Sequence, residues 1–310
     1  MNQSNTDPLV SICCLTYNHA PYIRDAIEGF LMQKNNFPIE ILIHDDASTD
    51  GTADIIREYE AKYPDIIKPI YQKENQYSKG VRISCVYQFP RARGKYIALC
   101  EGDDYWTDPY KLQKQVDFLE ANLEYAGCAH QTMVIYENIK KESHEFKINV
   151  PEIITINDLL STRIFHTSSF IFKSEIIRNN SLPNNVTAGD RALFLLVSSF
   201  GKIKFMNEPM AIYRKNNSGI SSWVTVELME KDKNIVPWIS KINPDFPKYR
   251  YLSFIYYTIL TYPKKLSLKI IFKNYFLYIL FSFSYFPKNL KNIIYFNFIT
   301  LPKLLKKIHG

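Results

Sequence analysis

Glu101-Gly102-Asp103-Asp104 places three carboxylates within four residues, directly after the apolar run Tyr96-Ile97-Ala98-Leu99-Cys100 and before Tyr105-Trp106. Carboxylates this close repel one another and lose hydration when half buried, unless a divalent cation or hydrogen-bond donors compensate. Hard oxygen donors favour Mg2+ or Mn2+. A second acidic pair, Asp45-Asp46, follows the apolar run from Ile39 to His44, and a carboxylate there suits a pyrimidine N–H or a ribose hydroxyl. The plainer role for such acids is helix capping. Asp108, just ahead of Pro109 and the helical pattern from Tyr110 to Asn122, fits that role better than Asp103 or Asp104. Ser48, Thr49 and Asp50 likewise read as caps, with Gly51 easing the turn, so Asp45 and Asp46 are not needed for capping.

The elements that must position these acids alternate. Strand patterns at Val10 to Leu15, Ile39 to His44, Ile66 to Tyr71 and Tyr96 to Cys100 are separated by helical patterns at Tyr22 to Gln33, Thr52 to Tyr63 and Val81 to Phe89. This order predicts an α/β fold with a mainly parallel central sheet flanked by helices. Both acidic turns then sit at carboxyl ends of strands and face one crevice, where open α/β sheets bind ligands. Further on, strands are expected at Gly127 to Tyr136, Phe165 to Phe172, Ile203 to Met206 and Met210 to Arg214. A charged loop is expected from Glu137 to Pro151, and a helix from Asp190 to Phe200.

What is missing also narrows the chemistry. The ten glycines form neither GxGxxG after a strand nor GxxxxGK[ST], so no glycine loop cradles phosphates and a bound nucleotide needs a metal to hold them. Five cysteines without a CxxC or zinc spacing read as buried thiols of a reducing compartment. Met1 to Pro8 lacks a basic stretch followed by an apolar one, so a cytoplasmic location is expected.

Charge is unevenly spread. The net +7 divides into +11 for residues 241–310, which hold 12 Lys or Arg against one acid, and −4 for residues 1–240. A two-proline linker near Ile242 to Tyr249 separates a body, 1–240, from a basic, aromatic, helical tail, 241–310. Its longest uncharged run, Asn274 to Pro287, falls short of the ~20 apolar residues a membrane span requires. Aromatics interleaved with lysines suit a peripheral membrane surface; a helical hairpin packed on the body is the other reading. No nucleic-acid recognition motif accompanies the charge.

Val10-Ser11-Ile12-Cys13-Cys14-Leu15-Thr16-Tyr17-Asn18, then Ile43-His44-Asp45-Asp46-Ala47-Ser48-Thr49-Asp50-Gly51-Thr52, then Glu101-Gly102-Asp103-Asp104 together resemble the family 2 glycosyltransferases of GT-A fold, over roughly residues 8 to 225. The resemblance implies that Thr16, Tyr17, Asn18 and Asp46 hold a nucleoside. It also implies that Glu101-Gly102-Asp103 is the metal-binding DxD motif, with Asp103 on Mn2+ or Mg2+ and Glu101 in place of the usual first aspartate. The family's catalytic base maps to Asp190 in Ala188-Gly189-Asp190-Arg191, although Asp190 also suits a helix cap.

Around this core the reading adds Asn75 and Lys79 near the base or phosphates, and Arg214 toward the diphosphate or simply at an exposed strand end. Asp104, Trp106 and His166 are candidate donor or acceptor contacts, with core packing the alternative for Trp106 and a structural role for His166. The implied reaction is inverting transfer of one sugar from a nucleotide-sugar donor, a UDP-sugar foremost, because the QxxRW motif and membrane spans of the processive members are absent. A polyprenyl-linked glycan of a bacterial surface polysaccharide, capsule or O-antigen, is the acceptor the resemblance and the tail suggest. A sugar-nucleotide pyrophosphorylase would need a glycine-rich basic loop after the first strand, where Thr16-Tyr17-Asn18-His19 stands. An inactive membrane-associated scaffold is the non-enzymatic alternative.

Overall fold

The structure, a computed structural model, describes residues 7–137, 140–215, 225–262 and 266–284. β1 (Val10–Thr16), α1 (Ile23–Leu31), β2 (Ile39–Asp45), α2 (Thr52–Lys62), β3 (Ile67–Tyr71) and β4 (Tyr96–Leu99) follow the expected alternation. Then come β5 (Tyr105–Trp106), α3 (Lys111–Ala121), β6 (Tyr125–Tyr136), β7 (His144–Glu145), β8 (Ile153–Ile154), β9 (Ile171–Lys173), α4 (Ser174–Asn179), α5 (Gly189–Ser198) and β10 (Lys202–Lys215). α6 (Val226–Lys231), α7 (Ile235–Ile242), α8 (Lys248–Leu260) and α9 (Leu268–Phe283) complete the described chain. It forms two compact units, Met1–Thr155 with Arg163–Leu182 and Leu196–Gly219, and Ile156–Thr162 with Pro183–Leu195 and Ile220–Gly310.

In the first unit one sheet runs in the order β3-β2-β1-β4-β9-β6-β10-β5. β1 is parallel to β2 and β4, and β2 to β3. Strands buried on both faces read as continuous apolar runs, as in Val10 to Leu15. Val10, Ile12 and Cys14 share a core with Ile41 and Ile43 of β2, Ile23, Ile27 and Phe30 of α1, and Leu112, Val116 and Leu119 of α3. Register brings Thr16 of β1 opposite Asp45 of β2, and Cys13 opposite Leu99 of β4. Both acidic turns therefore leave the same edge of the sheet.

The far half of the sheet is mixed. β9 is antiparallel to β4 and β6, while β6 and β10 are parallel. The helix expected from Val81 to Phe89 is present in irregular form, a π-helix at Ser84–Gln88 followed by a 3-10 helix at Phe89–Arg91; Pro90, which lacks an N–H, favours the tighter winding. Three local expectations are corrected here. From Phe165 to Phe172 the chain is mostly irregular around a 3-10 turn, Thr167–Ser169, and becomes a strand only at β9. The two strands expected around Pro209 are one, because register shifts between Met206 and Ala211 absorb the proline. Inside the expected charged loop, His144–Glu145 pairs with β6.

In the second unit α8 and α9 pack together. The hydroxyls of Ser253 and Ser282 lie 2.8 Å apart, and Tyr256 stacks on Phe281 at 5.8 Å between ring centroids. The helical expectation for the tail thus holds as far as residue 284; residues 285–310 lie outside the described ones. α7 runs across the expected boundary between residues 240 and 241.

Candidate functional site

Two turns at the sheet edge are stitched to each other. Asn18 donates its N–H to Ser48 Oγ at 2.8 Å and accepts that of Thr49 at 2.9 Å. The His19 N–H reaches Thr52 Oγ1 at 2.8 Å, and the Ala20 N–H reaches Asp50 Oδ2 at 2.9 Å. Asn18 sits at φ +53°, a left-handed conformation that asparagine tolerates. Its side chain fixes the shape of the crevice wall, and Asp50 caps α2 through the Thr52 N–H at 3.0 Å, as expected.

The two acids of the β2 turn have different surroundings. Asp46 accepts the N–H of Gln76 at 2.7 Å and of Tyr77 at 3.0 Å, one on each carboxylate oxygen, and so anchors the 3-10 turn Tyr77–Lys79. Each oxygen keeps a further lone pair. Asp45 Oδ2 accepts only the Ser48 N–H, at 3.2 Å, while Asp45 Oδ1 is buried without a partner. Thr16 Oγ1 is likewise buried and unpartnered. Unpaired buried polar atoms are rare and costly, and these two belong to residues paired across β1 and β2. Tyr17, next to them, is 46% exposed. Asn75 donates to the Asp46 carbonyl at 3.3 Å, and exposed Lys79 is paired with Glu74.

Gly102 lies against Thr16. A Cβ at this glycine would meet Thr16 Cβ at 2.8 Å and Oγ1 at 2.9 Å, so the acidic turn after β4 passes closer to β1 than any side chain permits. The Gly102 N–H donates to the Leu15 carbonyl at 2.8 Å, which fixes that approach. Asp103, partly exposed, comes within 3.9 Å of His19 Nε2. Burial pulls the proton affinity of His19 down, against the opposing pull of Asp103, and His19 Nδ1 is buried without a partner. Sequence reading missed His19; its place directly after Thr16-Tyr17-Asn18 was the available signal.

Asp104 faces the other way. It is buried, accepts the Arg214 N–H at 2.9 Å and lies 3.6 Å from His166 Nδ1. Burial, with the charges of Asp103 and Glu101, holds its carboxyl well above the usual range. His166 is kept neutral by burial. It accepts the Ser168 N–H at 3.3 Å and stacks on Tyr213 at 4.0 Å. Trp106 is buried, donates to the Ser168 carbonyl at 2.8 Å and meets Phe30 edge to face at 4.9 Å. Core packing, the alternative weighed for Trp106, is what the structure has. Arg214 is not an exposed strand-end residue: it is buried, pairs with Asp25, approaches Glu137 at 3.5 Å and lies over the rings of Tyr22 and Tyr105.

Asp190 belongs to the second unit, in the first turn of α5. The N–H groups of Thr187 and Ala188, just ahead of that helix, donate to Asp232 Oδ1 at 2.8 and 2.9 Å. The acceptor for these preceding N–H groups is therefore Asp232, while Asp190 Oδ1 accepts the N–H of Arg191 at 2.8 Å. Asp232, a residue the sequence did not single out, is pushed up by burial and pulled down by those two hydrogen bonds.

Among the described residues no three or more His, Cys, Asp or Glu side chains gather into a ready cage for a metal ion. Mg2+-type cations coordinated by substrate phosphates need only one or two protein carboxylates. Asp103, partly exposed at a strand-end turn, is a carboxylate that fits such a role.

Residues 11–180, more than half of the chain, match the family described as Glycosyl transferase family 2. A putative teichuronic acid biosynthesis glycosyltransferase, TuaG of Bacillus subtilis, is 32% identical over 71% of this chain and 84% of its own length. The E. coli UDP-Glc:alpha-D-GlcNAc-diphosphoundecaprenol beta-1,3-glucosyltransferase WfaP is 30% identical over 72% and 84%. An uncharacterized protein of Mycobacterium tuberculosis is 39% identical over 68% of this chain, which spans 60% of that relative's length. The fold is shared with Staphylococcus aureus TarS 1-349, solved with UDP-GlcNAc, at a TM-score of 0.64 and 17% identity, covering 88% of this chain and 79% of that one. These likenesses bear out the family and the GT-A fold expected from the sequence. The chain belongs to glycosyl transferase family 2.

Proposed function

We propose that this protein is an inverting, metal-dependent, non-processive glycosyltransferase that moves one sugar from a UDP-sugar to a hydroxyl of a lipid-linked oligosaccharide in bacterial surface polysaccharide synthesis. The observation that carries the reading is the pair of buried, unpartnered oxygens, Thr16 Oγ1 and Asp45 Oδ1, at the carboxyl ends of β1 and β2, beside the partly exposed Asp103. A nucleotide's N–H and hydroxyl groups supply the donors those oxygens lack, and Tyr17 offers a ring face for the base. The alternative of an inactive scaffold leaves both oxygens unexplained.

Asp103 would hold Mn2+ or Mg2+, which supplies positive charge against the diphosphate leaving group. Thr16, Asp45 and Asp46 orient the nucleoside, Asp46 also through the turn it anchors with Asn75. Asp190 takes the proton from the acceptor hydroxyl as the oxygen attacks the anomeric carbon opposite the leaving group, a contribution of ~10²–10⁴-fold. No covalent intermediate on the protein is required. The name of WfaP supports a diphosphate-polyprenyl acceptor, and the basic tail supports work at the cytoplasmic face of a membrane.

Thermal stabilisation by a panel of nucleotide sugars with Mn2+ tests the donor assignment. UDP-sugars should raise the melting temperature more than GDP- or dTDP-sugars. Equal shifts for all bases, or none, would contradict it.

A further inference from the structure

α9 is built with its polarity inverted. Its packed face carries Ile271, Asn274, Tyr278 and Ser282, while Leu268, Phe272, Phe276, Leu280 and Phe283 point outward. These five follow at i, i+4 spacing with a final i+3 step, which puts them on one stripe of the helix. They are 47–66% exposed. A water-facing helix has its apolar stripe inward; here two polar side chains, Asn274 and Ser282, are buried instead, and Asn274 donates its side-chain N–H to the Ile270 carbonyl of its own helix at 2.8 Å, while its Oδ1 is buried without a partner.

We infer that this stripe is a docking face for an anionic bilayer surface. Charge complementarity selects that occupant. In sequence, Lys264 and Lys265 precede α9, Lys269 and Lys273 lie on it, and Lys288 and Lys291 follow, with no acidic residue from Phe246 to Gly310. Lys269 is exposed next to Leu268, and Lys273, exposed next to Phe272, also pairs with Glu230 of α6. Aromatics that enter the headgroup boundary beside lysines that meet lipid phosphates make a helix that lies in the interface plane. α9 has 16 residues and, among the described residues, no helix is long and apolar enough to cross a membrane. The face rests on the membrane part of the proposed function and specifies it: five named side chains and anionic lipid, rather than the basic charge of the tail as a whole.

The test is co-sedimentation of the full chain with vesicles of phosphatidylcholine alone and of phosphatidylcholine with phosphatidylglycerol. The pair of substitutions Phe272→Ser and Phe276→Ser changes side chains that are exposed, so folding is monitored by circular dichroism and is expected to persist. Wild type should bind the phosphatidylglycerol vesicles preferentially and less at high salt, and the double variant should lose about tenfold or more in affinity. A single substitution, Phe276→Tyr, keeps the aromatic and should keep most of the binding. Undiminished binding by the folded double variant would overturn the inference, as would a wild-type dimer that the same substitutions dissociate, since a second copy would then be the occupant. Nucleotide-sugar hydrolysis measured without vesicles separates the two readings: it should be equal in wild type and double variant. Loss of hydrolysis in both with vesicle binding intact would sink the transferase reading and leave the docking face standing.

Discussion

His19 Nε2 lies 3.9 Å from Asp103 Oδ2, and the other ring nitrogen of His19 is buried with no partner. The negative charge of Asp103 favours the tautomer with its N–H on Nε2, facing the carboxylate expected to meet the metal. Groups that hold a metal ligand from behind are worth ~10–100-fold in metal affinity. His19→Leu should therefore weaken Mn2+ binding in the presence of UDP by about tenfold, read by electron paramagnetic resonance. His19→Gln, which keeps an N–H near the same place, should recover most of it. Equal Mn2+ affinity in wild type and the leucine variant would show that His19 only shapes the turn.

The separate surroundings of Asp190 and Asp232 make separate predictions. Asp190→Asn should lower turnover by about 10²–10⁴-fold with little change in melting temperature. Asp232→Ala deprives the Thr187 and Ala188 N–H groups of their acceptor and should cost about 1–2 kcal/mol of stability. The pair is checked by melting curves alongside steady-state rates. A large stability loss in Asp190→Asn would make that residue a structural one.

Lys111 carries an unusual stability term. It is fully buried, bonds Gln115 Oε1 at 2.8 Å and sits 4.0 Å from the Trp106 ring centroid. Burial lowers its pKa from 10.5 to about 7. The unfolded chain keeps that proton up to the higher value, so between pH 7 and 10.5 the folded state binds fewer protons and this group makes stability rise with pH. Its cost is greatest below pH 7. Lys111→Met should raise stability by roughly 1–3 kcal/mol at pH 6–7, the ring contact and hydrogen bond offsetting part of the gain. The advantage should shrink toward pH 10 in melting curves; a pH-independent difference would contradict the assignment.

The half of the fold that positions the site was legible because its signals are local. β1, β2 and β4 read as largely apolar runs, and both acidic turns directly follow one. Long-range partners were not legible. Trp106 is in the core because Phe30 and Ser168 close around it, and Arg214 is held by Asp25, 189 residues away in sequence. Nothing in Tyr213-Arg214-Lys215 announces that partner. Pro209 read as a break between strands, yet parallel pairing with β6 on both sides carries β10 through it with a shift in register. The inverted polarity of α9 was hidden for the same reason: an apolar helix shows which face is packed only once α8 lies against it.

The central claim is that the turn Glu101-Gly102-Asp103 serves metal-dependent sugar transfer. The most direct test is release of UDP from a UDP-sugar by wild type and Asp103→Asn, with Mn2+ and with chelator, both proteins shown to be folded. Turnover that requires Mn2+ in wild type and falls at least about 10²-fold in Asp103→Asn is the predicted result. Undiminished turnover in Asp103→Asn, or the same rate with chelator as with Mn2+, would contradict it.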